Sequence, residues 1–214
     1  MSGPFLFACT GWLADGANDS TLVTNNHCIN TQKETDTLQA SFNFQRTECG
    51  GTINAPATSY AGGTLLRTSS INRHGHKGGL DYTLLTLQGS PEATWGQLVP
   101  TTKPIGPGDP IWFIQHGGGN EKQVGFYDDA AHTQLCRVDS TGQTYAKTAI
   151  GSQTAYACDS EGGSSGSPVI DPSTGHVIVL HHFGGVDTNP CLNSGTTMAD
   201  ICADAGALLN CAAN

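Results

Sequence analysis

The sequence predicts an all-β protein in two antiparallel halves, joined by a proline-rich linker and closed by one short C-terminal helix. Three observations predict it. Short apolar runs alternate with clusters of Gly, Asn, Asp and Pro along most of the chain, the usual punctuation of strands. The 214 residues include 28 Gly and 10 Pro but only 13% charged residues, whereas a helical bundle would be richer in Ala, Leu, Glu and Lys at a 3.6-residue rhythm. Finally, Pro91, Pro100, Pro104, Pro107 and Pro110 fall close together between the two halves.

The predicted strands are Phe5–Leu13, Thr21–Thr24, Thr37–Phe44, Thr64–Thr68, Tyr82–Leu87, Pro110–Gln115, Lys122–Phe126, Gln134–Asp139 and His176–His181. Pro168-Val169-Ile170 also continues as a strand. The stretch from Met198 to Leu209 is Ala-rich, with Ile201, Ala205, Leu208 and Leu209 spaced for a helix. A single domain over 1–214 is expected, with a first half of about 1–95, a linker of about 91–110 and a second half of about 110–214.

Charge and cysteine usage narrow the function classes. The formal net charge is −9, from 9 Lys+Arg against 18 Asp+Glu, which argues against nucleic acid as the main partner because phosphate binding needs a basic face. No apolar stretch reaches the length of about 18 residues that a membrane helix needs. The eight cysteines, Cys9, Cys28, Cys49, Cys136, Cys158, Cys191, Cys202 and Cys211, contain no CxxC pair. They read as disulfides rather than a zinc site, which places the chain in an oxidising, extracellular compartment. Reduced, buried thiols in a cytosolic protein are the alternative. The Met1-Ser2-Gly3-Pro4 start has neither the basic nor the apolar region of a signal peptide and is read as a mature or engineered start.

The segment Glu161-Gly162-Gly163-Ser164-Ser165-Gly166-Ser167-Pro168 carries the chemistry. A nucleophilic serine needs an exposed hydroxyl on a tight turn, backbone N–H groups aimed at a developing oxyanion, and a base within reach. Gly163 and Gly166 allow the turn around Ser165. The N–H groups of Gly163 and Ser165 are the expected oxyanion donors. By itself such a run is often a plain Gly/Ser surface loop. The G-x-S-x-G elbow of α/β-hydrolases is a second alternative, opposed because that elbow runs into a helix whereas Pro168-Val169-Ile170 reads as a strand. That fold also needs an acid and then a histidine after the serine. No histidine follows Asp187, and Asp171 has only His176, His181 and His182 close behind it.

Two further segments supply the partners. Leu22-Val23-Thr24-Asn25-Asn26-His27-Cys28 is an apolar strand that delivers a histidine beside a cysteine, with Cys9 one hairpin upstream. Gly79-Leu80-Asp81 opens the apolar run Tyr82–Leu87, so the carboxylate is partly buried and needs a hydrogen-bonded partner. The imidazole N–H of His27 is such a partner; a turn-capping aspartate is the bland alternative. His27, Asp81 and Ser165 occur in the order His, Asp, Ser. The first two then belong to the first half and the serine to the second.

On these residues the chain resembles the chymotrypsin-like (trypsin-like) serine peptidases, in particular the bacterial lysyl and glutamyl endopeptidases. Further matching pieces are Ala8-Cys9-Thr10-Gly11, Phe42-Asn43-Phe44-Gln45 with Cys49, Gln115-His116 with Glu121-Lys122, and Leu180-His181-His182-Phe183-Gly184-Gly185. The resemblance implies two packed antiparallel six-stranded β-barrels and a C-terminal helix. It implies a serine endopeptidase with His27, Asp81 and Ser165 as catalytic triad, Gly163 and Ser165 as oxyanion hole, and no cofactor. It also implies Cys9–Cys28 and Cys136–Cys158 disulfides, leaving Cys49, Cys191, Cys202 and Cys211 unassigned. The chain departs from the family at Asn25-Asn26, where Ala-Ala or Ala-His is usual, and at Ser164, where an acid usually pairs with a freshly cut N-terminus. The segment expected before the Cys9 strand reads as short.

Specificity is the least legible part. The resemblance places a primary pocket between the residues before Ser165 and the His181–Gly185 strand, with Asp159, Ser160, His182 and Gly184 as substrate-binding residues. Asp159 suits Lys or Arg by charge pairing, yet it also occurs in glutamyl enzymes. Ser160 and His182 suit an acidic side chain, and Asp187 or Asp200 are further candidates for a basic one. A charged residue before the scissile bond is expected, Glu or Asp slightly before Lys or Arg. The other histidines, His74, His76, His116, His132 and His176, are scattered, and no metal is expected. Partners are protein or peptide substrates, with no nucleic acid and no membrane, and the chain is expected to be a monomer. A catalytically silent binding domain on the same fold is the competing function.

Overall fold

Two antiparallel sheets follow from where the apolar residues fall. The structure, a computed structural model, describes residues 8–73, 76–77, 79–128, 131–145, 148–186 and 189–213. Phe5 to Phe7 of the predicted first strand, His74 and Asp187 lie outside the described residues. The first strands are β1 (Trp12–Leu13), β2 (Thr21–Thr24), β3 (Gln39–Phe42), β4 (Thr58–Ser69), β5 (Asn72–Arg73), β6 (His76–Lys77) and β7 (Tyr82–Leu87). After the linker come β8 (Trp112–Gln115), β9 (Gln123–Gly125), β10 (Val138–Gln143), β11 (Gln153–Tyr156), β12 (Pro168–Ile170), β13 (Val177–Val186) and β14 (Asn189–Thr197). The helices are α1 (Gln32–Thr35), α2 (Glu92–Trp95) and α3 (Met198–Ala205).

The first sheet has the order β1-β2-β7-β4-β3 and the second β10-β11-β14-β13-β12-β8-β9. The all-β class and the C-terminal helix are as the sequence predicts; the sheets hold five and seven strands among the described residues rather than six each. The second sheet closes on itself, because the bridges Pro110–Arg137 and Tyr127–Leu135 tie its β8 and β9 ends to the approach to β10. Among the described residues the first stays open between the edges of β1 and β3. A cleft of about 880 Å³ lies there, lined by Leu13, Leu38, Ala40, Phe42 and Trp95.

Strand periodicity sorts the core. On β7, Leu85 and Leu87 face the first sheet's interior with Leu13 and Leu22, while Tyr82 and Leu84 turn to the other face. There they pack with Val23, Val177, Leu180, Met198 and Ile201, so one core joins both sheets and α3. A separate cluster of Ile111, Phe113, Val138, Tyr156, Val169 and Val179 fills the second barrel. Thr197 caps α3 by accepting from the Asp200 N–H. A fork from Arg67 to Asp204, at 2.9 and 3.0 Å, ties α3 to β4, and the Tyr82 hydroxyl donates to the same carboxylate at 2.6 Å.

The linker is bound rather than free. Pro100 bridges Val177, Thr101 bridges Ala212, and Lys103 Nζ donates to Asp171 Oδ2 at 2.6 Å. Burial pushes Asp171 upward, but Lys103 and Ser173 outweigh it and bring the carboxyl to about 2. A depressed folded value contributes stability above the ordinary carboxyl range, lost as pH falls through that range toward 2. Asp171→Asn is therefore expected to lower stability by about 2 kcal/mol at pH 7. Urea melts at a series of pH values should show the difference from wild type vanishing between about pH 4 and pH 2. A constant difference across that range would assign the loss to something other than ionisation.

Candidate active site

Of the three predicted catalytic residues, His27 and Asp81 meet directly, and Ser165 is linked to them through His182. His27 follows β2 and Asp81 immediately precedes β7; because Thr24 pairs with Thr83, the two side chains leave adjacent strand ends. His27 Nδ1 lies 2.7 Å from Asp81 Oδ2, and the His27 backbone N–H donates to Asp81 Oδ1 at 3.0 Å. Asp81 is 1% exposed while the His27 side chain is 40% exposed, so the acid is shielded and the base is open to a substrate. Asp81 has a φ of 49°, an unusual left-handed conformation for a non-glycine residue at a functional site. Asn25 holds it: Asn25 Nδ2 donates to the Asp81 carbonyl at 2.8 Å. Asn26 Nδ2 donates to Thr68 Oγ1 at 2.6 Å. The unusual Asn25-Asn26 pair thus anchors both sides of the histidine turn, and the Cys9–Cys28 disulfide clamps it from below.

Asp81 has a second histidine. His182 Nδ1 is 3.1 Å from the same Oδ2, and His182 Nε2 is 2.5 Å from Gln153 Oε1. His182, expected to bind the substrate's charged side chain, is thus buried with both ring nitrogens on protein partners. The irregularity of β13 between His181 and Phe183 accompanies a ring turned inward behind the triad and fully buried. Burial pushes the Asp81 carboxyl upward, but the bonds from His182 and His27 prevail and hold it below the ordinary range.

Ser165 sits on the turn before β12. Its backbone carbonyl accepts from the Thr10 N–H at 2.8 Å, and Thr10 Oγ1 donates to the Gly163 carbonyl at 3.0 Å while accepting from the His116 N–H at 3.0 Å. Thr10, part of the matching Ala8–Gly11 segment but given no role by it, pins the serine turn to the first half. The turn is braced by a neutral pair, Ser164 Oγ on Gln115 Oε1, with Gln115 Nε2 on the Asp159 carbonyl at 2.8 Å. The Gly163 and Ser165 N–H groups meet no protein acceptor among the described residues. The Ser165 hydroxyl is directed at the His182 carbonyl, 3.5 Å away, and is not hydrogen-bonded to His27. Such bonds often tighten only with substrate present.

Glycine is required at Gly166. Its φ is 89°, and a Cβ there would lie 2.1 Å from the Thr10 carbonyl oxygen and 2.6 Å from Thr24 Oγ1. Gly166→Ala is expected to destabilise the fold by about 2–4 kcal/mol, from left-handed strain plus overpacking. It should also lose activity by displacing the Thr10 strand. Thermal melts check the first, and wild-type stability in the variant would refute the close approach.

The pocket residues separate. Ser160 Oγ donates to Asn193 Oδ1 at 2.7 Å, and Gly184 is close enough that a Cβ would lie 3.3 Å from that oxygen. Ser160, Gly184 and Asn193 thus share one polar wall. Asp159 is exposed and lines a second cleft of about 470 Å³ with Glu161, Phe126, Tyr127 and His132. His181 is bonded by Nδ1 to the Tyr156 hydroxyl at 2.7 Å, and burial pushes it down to about 3, so it is neutral. Cys9, His27 and Cys28 lie within metal-binding reach of one another, but both sulfurs are committed to the disulfide. Cys136–Cys158 and Cys202–Cys211 are also bridged; Cys49 and Cys191 are exposed and unbridged.

Comparison with known proteins agrees with this fold. The family model of the trypsin-like peptidase domain matches residues 9–180. The secreted RxLR effector protein 73 of Plasmopara viticola is 30% identical over 195 residues, 91% of this chain and 46% of that protein. The chain thus spans just under half the length of that relative. Among solved structures, the HtrA-type protease AlgW superposes with a TM-score of 0.62 at 12% identity, covering 92% of this chain and 51% of that one. The active form of the Rv3671c protease of M. tuberculosis gives 0.60 at 15% identity, covering 94% and 73%. A Glu endopeptidase gives 0.60 at 16% identity, covering 92% and 82%. At these identities the structures share the fold alone. The chain belongs to the trypsin-like peptidase family.

Proposed function

We propose that this domain is an extracellular serine endopeptidase that cleaves peptide bonds through an acyl-enzyme at Ser165. The observation that carries the reading is the 2.7 Å bond from His27 Nδ1 to the buried Asp81. That bond fixes the proton on Nδ1 and leaves Nε2 as the base. The Ser165 hydroxyl leaves the His182 carbonyl, gives its proton to His27 Nε2 and attacks the substrate carbonyl. The N–H groups of Gly163 and Ser165 receive the oxyanion. His27 then protonates the leaving amine, and water completes deacylation with His27 again as base. Three disulfides support an oxidising compartment.

The residue before the scissile bond is proposed to be charged. With His182 held at Asp81, support for Glu or Asp narrows to the Ser160 hydroxyl and Asn193, while the exposed carboxylate of Asp159 supports Lys or Arg. One experiment addresses both points. The protein is incubated with a mixed peptide library and, separately, with a serine-reactive phosphonate. Cleavage products and the labelled residue are read by mass spectrometry. Cleavage with the label on Ser165 supports the reading, and the residue before each cut decides between Glu/Asp and Lys/Arg. Absence of both supports the second reading, a silent binding domain, which the similarity to a secreted effector protein favours.

A further inference from the structure

Four buried side chains behind Asp81 determine where protons sit. Ser152 Oγ donates to the Ala149 carbonyl at 2.9 Å, and Thr196 Oγ1 donates to the Leu80 carbonyl at 2.8 Å. Each hydroxyl has one proton, so toward Gln153 both are acceptors. Gln153 meets them with its amide nitrogen, at 2.8 and 3.2 Å. Its oxygen is thereby turned on His182 Nε2, and an amide oxygen only accepts, so Nε2 carries a hydrogen. The other ring nitrogen, Nδ1, faces the Asp81 carboxylate, which when ionised also only accepts. Both nitrogens of His182 address acceptors, and the doubly protonated ring satisfies both.

We propose that His182 is a positioning residue, held as an imidazolium by Gln153, so that Asp81 is the shared counter-ion of two histidines. The inference rests on reading His27, Asp81 and Ser165 as the triad. The titratable groups facing His182 are Asp81 from the turn before β7, His27 from the turn after β2, and His181 beside it on β13. Gln153 on β11 and Phe183, stacked at 4.1 Å, carry no charge. Burial, the strongest influence, and His27 favour the neutral ring and outweigh Asp81, lowering the ring from its ordinary value; the acceptors on both ring nitrogens argue the other way and carry the assignment. A neutral ring would leave either Gln153 Oε1 or Asp81 Oδ2 facing a bare nitrogen lone pair in a buried site.

The consequence falls on His27. With part of the Asp81 charge already matched, His27 gains less from Asp81 when it takes the proton of Ser165. Activity then persists into more acidic solution than it would beside a neutral His182.

The test compares wild type with His182→Asn, whose side-chain amide can still donate to Asp81 but carries no charge. The acid limb of kcat/KM, which reports the free enzyme's base, is expected to move up by about one pH unit in the variant. An active variant with an unmoved limb would overturn the proposal. A second measurement needs neither turnover nor the variant's folding: ring ¹⁵N spectra of histidine-labelled Ser165→Ala protein. His182 is expected to show two protonated nitrogens up to pH 8, and one unprotonated ring nitrogen there would overturn the proposal. If the spectra show the imidazolium but the wild type cleaves nothing, the triad reading fails while the proton assignment stands.

Discussion

Ser165→Ala is expected to lower kcat by about 10⁶-fold while shifting Tm by no more than about 2 °C. The two effects separate because the hydroxyl does little for the fold. Among the described residues its one hydrogen bond is the 3.5 Å approach to the His182 carbonyl, long for an O–H donor. The contacts that fix the turn are backbone ones that alanine keeps: Thr10 N–H to the Ser165 carbonyl at 2.8 Å, and Gly166 N–H to the His181 carbonyl at 2.9 Å. Some rate above the uncatalysed reaction should survive, because the oxyanion donors and substrate contacts remain. Adding His27→Ala to Ser165→Ala should then cost little more, since base and nucleophile act as a unit. Kinetics on a peptide substrate and thermal melts of both variants check this. A Ser165→Ala protein that still cleaves at more than about one hundredth of the wild-type rate would place the nucleophile elsewhere.

What was legible in the sequence follows from how local each feature is. The strands β2 and β7 have the predicted bounds, because Thr21–Thr24 and Tyr82–Leu87 are compact apolar runs bounded by turn residues. The strands β11 and β14 were not read. Gln153-Thr154-Ala155-Tyr156 is buried at all four positions and shows no polar–apolar alternation. Asn189–Thr197 contains Pro190, Asn193 and Gly195, which read as loop; it is a strand because β11 and β13 pair with it on either side. The predicted helix from Met198 ends at Ala205, where Gly206 with a φ of 57° stops it and a short 3₁₀ turn takes over.

The candidate site divides the same way. His27, Asp81 and Ser165 were marked by their own segments. Thr10 and Gln115 lie in segments that resemble the family but carry no assigned role there, and Gln153 is unmarked, because their decisive partners lie far away in the chain. Asn25 was visible as a departure, but its use, holding the backbone of a residue 56 positions away, was not. His182 shows the sharpest difference. The resemblance to glutamyl endopeptidases implies a substrate-binding residue, whereas the direction of one ring on an irregular strand brings it to Asp81.

Asp81→Asn is expected to lower kcat/KM by about 10⁴-fold near neutral pH. The cause is proton placement rather than collapse of the turn. Asparagine tolerates a positive φ better than most residues, and the Asn25 Nδ2 bond goes to the main-chain carbonyl, which the substitution leaves in place. An amide that turns its nitrogen to His27 Nδ1 moves the imidazole proton to Nε2, the atom that must accept from Ser165. An amide that turns its oxygen there keeps the tautomer but removes the charge that stabilises the imidazolium. The same change strips His182 of its counter-ion in a site where the ring is fully buried. Breaking a buried pair from one side costs about 3 kcal/mol, so melts should show a stability loss that Ser165→Ala lacks. Asp81→Val makes the contrast, since a β-branched side chain resists the 49° φ and should lose still more stability. A rate loss under about tenfold in Asp81→Asn would remove Asp81 from the role of orienter. A large rate loss with unchanged stability would keep it there but deny that it is the counter-ion of His182.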